Sequence, residues 1–234
     1  MKITSSILAI AAHPDDLDFS SAGTIAKLAK EGNEIFYLII SDGSKGSHKV
    51  GFGGKKLADV RKKEQKEAAE FLGVKGVFFL GLKDGEIENT RSLRKEIVRL
   101  VRKVKPDIVF SFDPANLGFE NPFRSHRDHR MAGEAVFDAI YPAAGNASFF
   151  PELIRQGYKP HEIKEIWFFG SPKPNKFIDI SQTIAKKIKD LSFHKSQIKD
   201  INEVEKRIKS WARKSGAKKG IKYAEAFRVV KMKR

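Results

Sequence analysis

Short apolar runs rich in β-branched and aromatic residues recur at residues 7–12, 35–40, 77–80, 108–112 and 166–169, and between them the apolar positions change to a helical spacing. An uninterrupted apolar run of this length is what a strand buried on both faces requires. The alternation therefore predicts βαβ units and a mostly parallel sheet covered by helices. In the first helical stretch, 20–32, Ile25, Leu28 and Ala29 share one face and Gly32 supplies the stop; the second, 57–72, ends at Gly73 by the same device. A third, 92–103, is followed by Pro106, and helical patterns over 130–140, 181–198 and 203–213 precede a last strand within 222–232. No repeat or linker interrupts the pattern. The expectation is one domain, 1–234, with an α/β, Rossmann-like three-layer fold whose site lies at the C-terminal ends of the strands.

Two connections that leave strand C-termini, 41–56 and 113–125, are long and rich in glycine or proline. Loops of that length at that edge of a sheet are usually functional. GFGGKK at 51–56 resembles a phosphate-cradling loop, but that pattern needs Ser or Thr after Gly-Lys and Lys56 stands there, so it reads as a flap over the site.

Composition narrows the class. Hydrophobic residues make up 41% and charged residues 32%, which fits a soluble globule, and the absence of cysteine leaves only His, Asp and Glu to hold a transition metal. The acidic pair at Asp15 and Asp16 interrupts the first apolar run too early for a signal peptide, and no run reaches the roughly 18 residues of a membrane span, so a cytoplasmic protein is expected. The formal charge of +16 is uneven: residues 181–234 carry 17 Lys and Arg against 5 Asp and Glu. No nucleic-acid-binding motif accompanies this excess, so it reads as a lysine-rich solvated face, with nucleic acid not expected as a partner.

The candidate chemistry sits where the first and fourth strands end. AHPDD places His13, Asp15 and Asp16 at the exit of the first, and HRDH, residues 126–129, opens the helix after the fourth, with His126 and His129 three apart on one face. Taken singly, HPDD could be a helix N-cap and HRDH a solvated helix start. Together they suit Zn²⁺ or a similar divalent ion: His13, Asp16 and one HRDH histidine form a three-ligand set that leaves a position for water. Asp15 is then placed to take a proton. The other histidine would steady an oxyanion, its protonated form favoured by Asp128.

With these residues in view, the sequence resembles the LmbE-like or PIG-L-like zinc-dependent N-deacetylases. AHPDD and HRDH carry the likeness first; RKKEQKEAAEFLGV (61–74), LGLKDGEI (80–87), HKSQ (194–197) and YAEAFRVV extend it over nearly the whole chain. The resemblance implies His13, Asp16 and His129 as metal ligands, Asp15 as general base, His126 as oxyanion partner and Asp128 as its orienting neighbour. It also implies substrate contacts from the region of Arg61, Arg124 and His194. Members remove an acyl group from the amino nitrogen of a glucosamine unit, which implies an N-acetylated sugar or oligosaccharide substrate, and they are often homo-oligomers. The alternatives are an amidase for a non-sugar acyl amine, and a non-enzymatic anion-binding module using the basic C-terminal quarter.

Overall fold

A computed structural model describes residues 4–47, 51, 53–119, 125–217 and 219–232. Among them the chain runs β1 (Ser6–Ala11), α1 (Asp16–Lys30), β2 (Glu34–Ser41), α2 (Gly54–Leu72), β3 (Gly76–Leu82), α3 (Arg91–Val104), β4 (Ile108–Phe112), α4 (Arg127–Asp138), α5 (Pro151–Arg155), β5 (Glu165–Phe169), β6 (Lys176–Asp179), α6 (Ile184–Leu191), α7 (Ile201–Ala217) and β7 (Ala224–Lys231). The described strands form one sheet in the order β3-β2-β1-β4-β5-β7-β6. β1 to β5 are mutually parallel, while β7 runs antiparallel to both of its neighbours.

The apolar runs explain the interior of this sheet. Ile7 to Ala11 on β1 are wholly buried, as a central strand covered on both faces demands. α1, α2 and α6 pack together over one face, and α3 and α4 over the other. Residue Ile7 pairs with Ile35 on one side and Ile108 on the other, so β1 and β4 are neighbours although β2 and β3 separate them in sequence. That reversal of strand order opens a crevice at their C-terminal ends.

Helix stops follow the glycine reading. Gly73 takes the left-handed conformation (φ 93°) and donates its N–H to Ala69 O, closing α2. Thr90 Oγ1 accepts from the Leu93 N–H at 3.1 Å and opens α3. No helix of the described residues is long and apolar enough to cross a membrane.

Two expectations are corrected. The helix expected over 181–198 is only α6, Ile184–Leu191. Ser192 Oγ donates to Lys189 O at 2.6 Å, a local bond that competes with helix continuation, and the turns that follow carry 194–197 back against α2. Gly54, Lys55 and Lys56, read as flap, form the start of α2; residues 48–50 and 52 of that loop lie outside the described residues. The helical pattern read over 130–140 is found as α4 and the residues that continue it, and helical geometry ends at Tyr141 (φ −128°, ψ 120°), which precedes Pro142. Arg102 ties the segment that follows together: it is 1% exposed and donates to Ala143, Ala144, Asn146 and Phe149 oxygens at 2.9–3.1 Å.

β7 ties two distant places together. Arg228 Nη1 reaches the buried Asp113 carboxylate, just past β4, at 3.2 Å. Glu225 accepts from the Gly23 and Thr24 N–H groups of α1 and from Lys187 Nζ.

Candidate metal centre and active site

Three strand exits meet in the crevice. β1 delivers His13, Asp15 and Asp16; the turn after β3 delivers Asp84; α4, entered from the β4 loop, delivers Asp128 and His129 on its first turn, with His126 as its N-terminal cap. α4 can approach this closely because Gly133 has no Cβ, which would stand 3.1 Å from Phe112 O.

His13 sits at the centre. Its Nδ1 lies 3.3 Å from His129 Nε2 and 3.3 Å from Asp16 Oδ2, while Asp16 Oδ1 lies 3.1 Å from His129 Nε2. Ligands 2.0–2.1 Å from a tetrahedral zinc-type ion stand about 3.3 Å apart, so these separations fit such a cation. His13 Nε2 points the other way, at Asp128 Oδ2 (3.2 Å) and Asp84 Oδ1 (3.3 Å). A hydrogen on Nε2 donated to these carboxylates leaves the Nδ1 lone pair for a metal, the usual division of labour between the two nitrogens of a ligating histidine. Among the described residues, His13, His126 and His129, and likewise His13, Asp84 and Asp128, also have donor atoms within 4.8 Å of one another and could hold an ion.

The electrostatics agree. Burial works against a charged His13, but the Asp16, Asp128 and Asp84 carboxylates outweigh it and raise its pKa well above the ordinary value. Burial would raise Asp16 too; His129 and His13 overcome that and hold it far below the carboxylate range. Asp84 and Asp128 are lowered in the same way, against burial, chiefly by their bonds to His13. The ring of His129 is set by stacking on Phe112, centroids 4.2 Å apart at 14°.

Asp15 differs from all of these. It adopts φ 88°, ψ −21°, the left-handed region that costs a non-glycine residue about 1–3 kcal/mol and persists only where its surroundings impose it. It is the residue ahead of α1 yet makes no side-chain capping bond, so HPDD is not an ordinary helix cap. Burial raises its carboxyl above the usual range, with the Arg61 guanidinium opposing. A raised carboxylate in a crevice is suited to accepting a proton.

Of the remaining sequence candidates, Arg61 is 4% exposed and turned onto the protein itself: it donates to Pro14 O (2.7 Å), Gly43 O (2.9 Å) and Asp15 Oδ2 (3.3 Å). A Cβ at Gly46 would run into this guanidinium, which explains the glycine there. His194, which the resemblance implies near the substrate, is wholly buried with its Nε2 3.1 Å from Asp18 Oδ2. Arg124 lies outside the described residues. Asp128 was expected to hold His126 protonated. Instead its carboxylate meets His13 and accepts from the Gly85 and Ile87 N–H groups, and its contact with His126 is a backbone N–H donated to Nδ1 at 3.2 Å. The His126 pKa is correspondingly lowered, by burial first and then by His13 and His129. Three residues with no assigned role in the sequence reading belong here: Asp84, whose LKDG turn was visible, and Gln65 and Asp18, whose spacing from Arg61 and Asp15 offered a weak signal at most.

The family described as PIG-L: GlcNAc-PI de-N-acetylase matches residues 8–140, more than half of the chain and both strand exits. The chain belongs to this family. Within it, the chain is 38% identical over 226 residues to a diacetylchitobiose deacetylase of Thermococcus kodakarensis, covering 96% of this chain and 82% of that one. It is 28% identical to a probable N-acetyl-alpha-D-glucosaminyl L-malate deacetylase 2 of Bacillus anthracis, covering 84% and 83%. Among solved structures, an N,N'-diacetylchitobiose deacetylase from Pyrococcus horikoshii in complex with an inhibitor superposes with a TM-score of 0.91 at 32% identity, covering 98% of this chain and 85% of that one. The α/β family fold and a deacetylase relationship expected from AHPDD and HRDH are thus both found.

Proposed function

We propose that this PIG-L family member is a zinc-dependent hydrolase that removes the acetyl group from an N-acetylglucosamine-type amine in a small glycoside or oligosaccharide. The observation that carries the reading is the meeting of His13 Nδ1, Asp16 and His129 Nε2 at tetrahedral ligand spacing beside the Asp15 carboxylate, which Arg61 holds. The alternative donor group of His13, Asp84 and Asp128 is less suited to an ion. Asp128 already accepts from Gly85 and Ile87 N–H groups and Asp84 from the Lys45 N–H, which makes them supports for His13.

A bound zinc ion supplies Lewis acidity, bringing the pKa of water toward about 7 and polarising an amide carbonyl. Asp15 takes the proton from the attacking water as its oxygen bonds to the acetamide carbonyl carbon. Arg61, on Oδ2, keeps the carboxylate aimed while this happens. Negative charge collects on the former carbonyl oxygen. Because Asp128 N–H occupies His126 Nδ1, the neutral ring carries its hydrogen on Nε2 and can donate it to that oxygen. Asp15 then returns its proton to the departing nitrogen, the C–N bond breaks, and acetate and a free amine result.

The test is amine release from N-acetylglucosamine, its dimer and longer oligomers, with zinc added or chelated. Release from at least one of them that is lost on chelation and restored by zinc is expected. Chelator-insensitive turnover, or none on any of them, overturns the reading.

A further inference from the structure

Behind Asp15, a chain of buried polar side chains runs away from the crevice and takes no part in the reaction above. The N–H of residue 15 precedes the helix and has no helical partner; Gln65 Oε1 accepts it at 2.7 Å. The Gln65 amide cannot turn over, because its Nε2 donates at 2.8 Å to Asp18 Oδ2, a carboxylate oxygen that only accepts. That same oxygen faces His194 Nε2 at 3.1 Å. Gln65, Asp18 and His194 are each 0% exposed, so water cannot stand in for a missing member. Arg61, one turn earlier on α2, fixes the neighbouring Pro14 carbonyl.

We propose that Gln65 is a positioning residue for Asp15. By holding the N–H of residue 15 it keeps the left-handed turn closed, and so sets the direction in which the Asp15 carboxylate leaves the backbone; His194 and Asp18 hold Gln65 in turn. The ion-binding side chains do not depend on this bond. His13 is held from behind by Asp84 and Asp128, and the Asp16 carboxylate accepts from the His13 N–H. Loss of Gln65 therefore misdirects the base and leaves the metal in place. This inference rests on the deacetylase reading for the role of Asp15, but the bond itself can be tested without catalysis.

Gln65→Met keeps the length and removes both bonding atoms. Amide exchange at residue 15, followed by NMR, is expected to quicken at least about tenfold. kcat is expected to fall about 10- to 100-fold, with KM within about twofold and zinc content unchanged. In an Asp15→Asn background the same change should cost nothing further, because Gln65 acts only through Asp15. Should the Met variant not fold, the same readings are taken on Gln65→Leu, which also removes the acceptor, with the same changes expected. Unchanged exchange at residue 15, a loss that persists in the Asp15→Asn background, or a loss explained by departed zinc overturns the proposal. A wild-type protein inactive on every substrate would strike the deacetylase reading alone, since the exchange measurement still decides the clamp.

Discussion

The exits of β1 and β4 both deliver side chains to one centre, and they are fixed in opposite ways. At β1 the geometry is local: His13, Asp15 and Asp16 follow the strand within a few residues, and a strained turn aims them, locked from behind by Arg61 and Gln65 on α2. At β4 a long loop intervenes, and the His126–His129 turn opens a helix that is seated by contacts from several elements. Asp128 is held by Gly85 and Ile87 backbone, α4 is seated on Phe112 through Gly133, and Asp113 is anchored by Arg228. A short strained turn suits the group that moves a proton, where direction matters most. The helix N-terminus instead carries one proposed ligand, His129, and the donor to the developing oxyanion, His126.

The largest expected effect breaks the β1 side without disturbing its turn. Asp15→Asn keeps a residue that tolerates left-handed backbone and removes the base, so kcat should fall roughly 10²- to 10⁴-fold with the melting temperature and zinc content retained. Steady-state kinetics with metal analysis decide this; a loss under tenfold would remove Asp15 from the proton transfer. On the β4 side, His126→Gln should reduce kcat by roughly 10²-fold while zinc stays bound. If zinc is lost instead, His126 is a ligand and the division between the two histidines of HRDH is reversed.

Asp128→Asn sharpens the comparison further, since it removes the charge behind His13 and keeps the shape. Zinc affinity should weaken about 10- to 100-fold in a competitive chelator titration, more than turnover at saturating zinc. The pH dependence carries a definite sign. His13 has a raised pKa without metal, so its ion pairs stabilise the metal-free protein fully below the unfolded value of about 6.5, and that contribution is lost as pH rises through the raised value. Coordination needs the neutral ring, so zinc binding should release close to one proton and its apparent affinity should climb about tenfold per pH unit until His13 deprotonates. Calorimetry in two buffers of different ionisation enthalpy measures that proton. The smallest effect is expected from Arg228→Met, which leaves Asp113 buried without its cation: about 1–2 kcal/mol of stability by denaturant titration and a few-fold change in kcat.

How much of this was readable beforehand depended on distance along the chain. The buried strands announce themselves as β-branched runs, and AHPDD and HRDH stand directly after two of them, so the centre could be assembled from strand exits alone. β6, Lys176–Asp179, escaped because a short edge strand with partly exposed residues has no apolar run to reveal it. His194 stayed open between crevice and interior for a related reason. A histidine at the end of an amphipathic stretch reads the same whether it faces the crevice or the interior, and only the turns after α6 decide. Asp128 was assigned to the wrong histidine because its true partner, His13, is 115 residues away. Gln65 carried no such ambiguity; its role depends on a backbone N–H left over by a strained turn, and composition does not encode turns of that kind.

The placement of β7 has a consequence for how the protein comes into being. Of the described strands it is made last, yet it lies inside the sheet between β5 and β6, and its Arg228 pins a carboxylate 115 residues earlier. On the ribosome, β1 to β4 can pair as they emerge, but one wall of the crevice stays unanchored until this strand threads into place. Catalytic competence should therefore appear only once β7 has joined the sheet.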